Sequence, residues 1–564
     1  MKRIRPLLLV LFLGLPARAA DRPAETLLKL VPDDAAVCVV VRDLRGHSTR
    51  LAESPFAAWF ARSPLGRQLG GDDGLKKLAD AQKFLTGVFG ISAEQLRDDV
   101  LGDAVVFAFT PGPADRPQAD RSLLLIKPRT PAVLAVLLAK IDAAQLAAGE
   151  LTAVTTRTHN GATYSRREKK AGGAEYHALV NGIFAFSGDE STVTGVLDRI
   201  ASPNATSPAA VSLARLNADQ SLLAVWLNPR AFDAAFAAKA AAATDPKDRH
   251  GIETVAAIWK GVSDAAVLVN LADDLTVTLA ARFDPAALPP SVRPFLLPTA
   301  GRSTLAAVVP QGAVLSILGR TKADTLLTLA DTLTPPGQTP RPKDHIERDL
   351  GPVVGKDKLP AVLEALGPDW GFWAVAPEPD IGWAPEWTLA VKVGAAKPGR
   401  ALLSAADTAA QLIRVGYNQA HADQIEIREE TRDGTIVKSL ANPEKFPVGF
   451  NPAYALKGGF FVVASSPAVV GKFRAPSEAA IPADADAIIH LSAARLREYL
   501  TRHKEPVAAF LAENQGLKLV DVRAELDRAI AILEPFDAAD VLLTGKNDVT
   551  RLTLRLKTVK PLKK

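Results

Sequence analysis

Cysteine occurs once in the 564 residues and methionine only at the start. A lone Cys forms no internal disulfide, which excludes a disulfide-held scaffold and any Cys-rich metal site. Histidine is sparse and scattered, at 47, 159, 177, 250, 345, 421, 490 and 503, with no His-x-x-x-His pair to ligate a metal. Gly-x-Ser-x-Gly, Ser-x-x-Lys and His-Glu-x-x-His are all missing, and Gly355-Lys356, Gly471-Lys472 and Gly545-Lys546 lack the flanking residues of a phosphate loop. The adjacent acids Asp33-Asp34, Asp72-Asp73, Asp98-Asp99 and Asp273-Asp274 read as turn formers, because sequence neighbours on a strand point to opposite faces. No catalytic, cofactor-binding or metal-binding residue is therefore expected, and the chain is read as a protein that is not an enzyme.

The chain does carry a marked N-terminus. Lys2, Arg3 and Arg5 precede the apolar run 7–15, and Ala17-Arg18-Ala19 supplies a small-x-small site, the three parts of a secretory signal. Cleavage between Ala19 and Ala20 is expected, giving a periplasmic or extracellular protein. The run 7–15 is too short to cross roughly 30 Å of hydrocarbon, and no later stretch approaches a spanning length. The signal removes Lys2, Arg3, Arg5 and Arg18 but no acid, so a formal charge of +5 falls almost to zero. A nearly neutral mature chain lacks the basic footprint of a nucleic-acid binder. The run Arg166-Arg167-Glu168-Lys169-Lys170 reads as a solvated hairpin tip. Cys38, inside Val37-Cys38-Val39-Val40-Val41, reads as a buried strand residue.

One pattern is written twice, with an offset drifting between about 264 and 278 residues. Val31-Pro32-Asp33-Asp34 opens a strand over 37–41, and Val309-Pro310-Gln311-Gly312 another over 314–318. Leu101-Gly102-Asp103 and Leu366-Gly367-Pro368-Asp369 each lead into a second strand, with partners at 123–127 and 388–392. Helices follow at Pro131 and Pro398, where a missing N–H costs least. Asn160-Gly161 and Asp433-Gly434 mark two-residue hairpins, since a type I′ turn needs positive φ at both positions. A second hairpin repeats in kind, with Tyr176 to Ser187 set against Tyr454 to Ser465. Each copy closes with a further strand, helices and a hairpin at 265–283 or 541–556. Roughly nine strands per copy, mostly hairpin-linked, predict an α+β fold: two tandem homologous domains, each a largely antiparallel sheet with helices packed on one face. Boundaries are expected at 1–19 for the signal, 20–284 and 303–564 for the domains, and 285–302 for a linker stiffened by Pro285, Pro289, Pro290, Pro294 and Pro298.

This order resembles the bacterial exported proteins grouped as domain of unknown function 3352. Val31-Pro32-Asp33-Asp34, Leu101-Gly102-Asp103 and Asn181-Gly182 through Ser187 carry the resemblance, with weaker counterparts in the second copy. It spans most of the mature chain and implies neither a reaction nor catalytic residues.

Four of the seven Trp residues, at 370, 373, 383 and 387, fall in the second copy. Three lie on expected strands, whereas Trp383 sits in a loop between Pro377 and Pro385 and is the candidate anchor for a partner. Three readings follow. The first is a non-enzymatic structural or interaction module of the envelope or extracellular space, whose partner is a protein. The second is a carrier of an apolar small ligand in a cavity above roughly 300 Å³ facing the helices at 131–148 and 229–243. The third is a hydrolase whose cleft gathers a His with an acid or hydroxyl from separate strands. Intact mass and N-terminal sequencing of the protein from its host should find Ala20 first, and Ala19→Leu should leave the precursor unprocessed.

Overall fold

The computed structural model describes residues 22–559, save 55, 56, 58, 60–81, 84, 113–115, 117, 118, 203, 272, 273, 298–302, 379–381, 478–486 and 547. The signal segment with Ala19 and Ala20, the pair Asp72-Asp73, Asp273 and Pro298 lie outside the described residues. The chain divides into two compact units, one made of the described parts of 1–49 and 76–227, the other of 50–75 and 228–564.

The first unit holds β1 (Val37–Arg42), β2 (Ala104–Thr110), β3 (Arg121–Lys127), β4 (Leu151–His159), β5 (Ala162–Lys169), β6 (Ala174–Val180), β7 (Ile183–Ser187) and β8 (Leu223–Leu227). They pair in the order β8-β1-β2-β3-β7-β6-β5-β4, every ladder antiparallel. The turns behave as their sequences require: Asn160 and Gly161 hold φ of 48° and 81°, and Asn181 and Gly182 hold 51° and 68°.

Alternation along these strands sorts side chains onto two faces. Cys38, Val40, Val106, Leu125 and Ala185 point to one face and are buried. Val193 and Leu197 of the helix Glu190–Ala201 pack there against Ala178 and Tyr164. Ile126 and Phe184 point the other way and receive Leu134 and Leu137 of the helix Pro131–Ala147. Helices thus lie on both faces of this sheet, where the sequence had suggested one. The reason is visible in β3, whose Leu123-Leu124-Leu125-Ile126 run is apolar on both sides and needs cover on both.

The second unit holds β9 (Val262–Leu271), β10 (Asp274–Phe283), β11 (Ala313–Arg320), β12 (Leu366–Val375), β13 (Glu386–Val393), β14 (Glu426–Arg432), β15 (Thr435–Ala441), β16 (Ala453–Lys457), β17 (Phe460–Ala464), β18 (Ala487–Ser492), β19 (Phe536–Lys546) and β20 (Val549–Thr558). The order is β9-β10-β20-β19-β18-β11-β12-β13-β17-β16-β15-β14, again antiparallel throughout. From β18 to β14 it repeats the pairing order of β8 to β4. Its core gathers Leu318, Trp373, Ala390, Val462 and Ala464 beneath Val469 and Val470 of the helix Pro467–Lys472.

Register corrects one detail of the sequence comparison. Ala178 pairs with Ala185 as Ala455 pairs with Val462, so His177, not Tyr176, occupies the place of Tyr454. A one-residue slip moves a side chain to the opposite face, and Tyr176 faces the other way from Tyr454.

The domain boundary also falls elsewhere than at 285–302. β10 is hydrogen-bonded along its length to β20, from Asp274 opposite Lys557 to Arg282 opposite Val549, which places the hairpin 262–283 in the second unit. The following segment is packed rather than extended: Asp284 N donates to Gly261 O at 2.8 Å, and Leu288 is 1% exposed. Leu288→Ala should therefore lower stability by about 2–5 kcal/mol in a denaturant titration. A loss below about 0.5 kcal/mol, the range of surface substitutions, would return this segment to the status of a linker.

Candidate ligand-binding cavities

Trp383 does not project freely. Its ring lies 5.2 Å from that of Phe510, and its carbonyl accepts a hydrogen bond from the Tyr499 hydroxyl at 2.9 Å. Trp373 is core, and Trp387 stacks on Phe372 at 6.4 Å. Burial pushes the Tyr499 hydroxyl up to about 12, so it remains a donor at physiological pH.

The loop that carries Trp383 instead borders a groove of about 550 Å³ on the second unit. Pro377, Ala384 and Pro385 form one wall, β14 and β15 the floor, and the segments at 448–451 and 465–472 the other wall. Gly382, with φ of +127°, lies against the Val448 carbonyl, where any Cβ would come within 2.8 Å. Ser466 caps the helix Pro467–Lys472 by accepting from Val469 N at 3.3 Å, and Lys472 reaches back to Glu386 at 2.9 Å. Along β14, Arg428 pairs with Glu426 at 2.9 Å and Arg432 with Glu430. Every charged side chain lining the groove stands within 4 Å of an opposite charge, counting the longer approaches of Glu378 to Lys472 at 3.8 Å and Glu429 to Lys438 at 3.9 Å. The surface offers fixed donors and acceptors on an apolar ground of Val448, Phe450 and Ala468.

A smaller cavity, about 330 Å³, lies in the first unit between the helix Pro131–Ala147 and strands β5 and β6. Ala135, Leu138 and Ala139 line its helix side, and Ser165, His177 and Leu179 its sheet side. Arg167 fixes this wall. The residue is 7% exposed, and its guanidinium donates to Asp142 at 2.8 Å, to Glu175 at 2.6 Å and to Gln145. The basic run 166–170 is thus strand and turn, with Arg167 turned inward, where charge-assisted hydrogen bonds to two carboxylates offset the cost of its burial. His177 is 8% exposed. Burial holds its imidazole below the ordinary range, with Arg167 acting in the same sense and Asp142 and Glu175 opposing.

A third cluster sits on β18, β19 and β20. Asp540, 2% exposed, accepts from His490 Nδ1 at 2.7 Å, Arg555 Nη2 at 2.7 Å and Lys557 Nζ at 3.2 Å. Those three donors hold its carboxyl well below the usual range against the opposing effect of burial. Ser316 is the cross-strand neighbour of His490, but no hydrogen bond joins them among the described contacts. His490 lines neither the groove nor the cavity of the first unit. Cys38, the counterpart of Ser316 by register, is fully buried, and burial pushes its thiol up to about 12, far from a reactive thiolate. Among the described residues no group of three or more His, Cys, Asp or Glu is placed to hold a metal, and no helix is long and apolar enough to cross a membrane.

Sequence reasoning missed the inward Arg167 and the Asp540 cluster. A signal was present, since strict alternation on β19 puts Asp540 on the same side as the buried Ala538.

No family model, curated protein or solved structure matches this chain.

The two shifted groups carry signed pH dependences. His177 is depressed when folded, so its contribution is complete above the unfolded value near 6.5 and declines as pH falls below it. Asp540 is also depressed, so its contribution is complete above about pH 4 and is lost in stronger acid. His177→Gln should flatten the Tm profile between about pH 6.5 and 5, and Asp540→Asn the limb below about pH 4. Profiles parallel to the parent protein would overturn these assignments.

Proposed function

We propose that this chain is an exported, non-enzymatic binding protein of the envelope or extracellular space, built from two copies of one α+β unit, whose partner is a protein engaging the groove beside the Trp383 loop. The supporting observation is the chemistry of that groove. It has the volume of a recognition site, and every charged side chain in its lining stands within 4 Å of an opposite charge, with Lys472 shared by Glu378 and Glu386 and Lys438 by Glu429 and Asp407, so binding strips water from ion pairs rather than from bare ions. Paired, held side chains suit recognition better than bond-making, which needs an unspent base or nucleophile. The shared ladder order of β8 to β4 and β18 to β14 supports the duplication, and the signal-like residues 1–19 support export.

A carrier is the second reading, favoured by the cavity of about 330 Å³ that faces the Pro131 helix. Its lining holds no residue of 229–243, and Asp142 and His177 in its wall call for a ligand with a polar group.

A photo-crosslinking residue in place of Val448, which is 76% exposed at the groove rim, should yield one discrete adduct in the host envelope. Ala468→Trp, filling the groove from an exposed position, should abolish the adduct without lowering Tm. An adduct indifferent to Ala468→Trp, or none at all, would remove the groove from consideration.

A further inference from the structure

The end of β1 presents an arginine that its surroundings do not satisfy. Arg42 is 8% exposed, on the same strand face as the buried Cys38 and Val40. A guanidinium has five N–H donors. Its carboxylate partner, Glu25, stands 3.5 Å from Nε, an ion pair without the alignment of a hydrogen bond. The contact of Nη1 with the Ser221 hydroxyl is long, at 3.5 Å. Ser221 itself is committed, donating to Ala218 O at 2.5 Å. Burial lowers the affinity of Arg42 for its proton, with Glu25 opposing. A buried charge held only by these long contacts is costly, and an anion brought against the guanidinium would offset part of that cost.

Space for one exists. Arg42 lines a cavity of about 450 Å³ between the helices Pro23–Leu28 and Pro208–Arg215. Ser207 holds those helices together at one end, donating to Leu28 O at 2.6 Å while accepting from Ala210 N at 3.1 Å. Arg22, paired with Asp219 at 2.8 Å, stands on the other side. Leu28, Ala210, Val211 and Leu213 make one wall apolar. Of the charged residues that line the cavity, Arg22 is paired with Asp219 and Arg42 with Glu25 at the longer distance, and the exposed Lys29 makes cations outnumber carboxylates by one.

We propose that this cavity binds a small monocarboxylate with an apolar chain, the carboxylate against the Arg42 guanidinium and the chain along Leu28, Val211 and Leu213. The site is separate from the groove and from the cavity beside the Pro131 helix, and stands whichever of those readings holds. The second unit does not repeat it: Arg320, in the place of Arg42 by register, is only half-buried.

Titration calorimetry of the processed protein with octanoate, octanol and inorganic phosphate tests this. Octanoate should bind at least about tenfold more tightly than octanol, because only the carboxylate makes charge-assisted hydrogen bonds to the guanidinium. Ala214→Trp, which fills the cavity from an exposed helix position, should abolish octanoate binding with Tm unchanged, and Arg42→Lys should weaken it about tenfold by losing the planar fork. The proposal is overturned if octanol binds as well as octanoate, if phosphate binds as tightly, if Ala214→Trp leaves binding intact, or if octanoate does not bind.

Discussion

Both ladders depend on tight turns in which a residue at positive φ is followed by a glycine, as at Asn160-Gly161, Asn181-Gly182 and Asp433-Gly434. Such turns twist with the strands they join and so pin register, and register decides which side chains meet the helices. The single-residue difference between Tyr176 and His177 as counterparts of Tyr454 shows what is at stake. Tyr454 and His177 both face the long helix of their unit, and there Tyr454 donates to Asp407 at 2.9 Å while Lys438 holds the same carboxylate at 2.8 Å. A slip in either hairpin would carry those groups to the opposite face.

The long helix of each unit is attached by apolar packing together with a carboxylate that takes partners from the sheet. In the first unit Leu134 and Leu137 supply the packing, and Asp142 takes Arg167 from β5. In the second, Asp407 of the helix Ala396–Ala420 takes Tyr454 and Lys438. The hydrophobic contacts carry most of the attraction, because apolar burial is the larger and less demanding contribution. The ion pairs set where along the helix contact occurs, since removing one partner strands a half-buried charge. Arg42 is the exception: it is as buried as Arg167 but far less well paired. The difference between these two arginines, one spent on structure and one not, separates a framework residue from a candidate ligand contact.

Much of the architecture was legible from local signals. Turn dipeptides, apolar alternation and proline at helix starts are properties of a few neighbouring residues, so β1 to β8 and β11 to β18 stood close to where the pattern put them, antiparallel and with Cys38 buried. The cavities were not legible. A cavity exists only where two elements distant in sequence fail to fill the space between them, as the helices at Pro23 and Pro208 do beside Arg42.

By itself the sequence determined the α+β class, the hairpins and the strand faces, because backbone φ limits and two-residue periodicity act within a few residues. Only the tertiary structure decided that the hairpin 262–283 extends along β20, that Trp383 packs on Phe510, that Arg167 turns inward and that Leu288 is buried. Each of those outcomes depends on what covers a surface. Periodicity shows that a face needs a partner but not which of many distant segments will fit it, since that choice rests on the shape and charge of residues brought together only by folding.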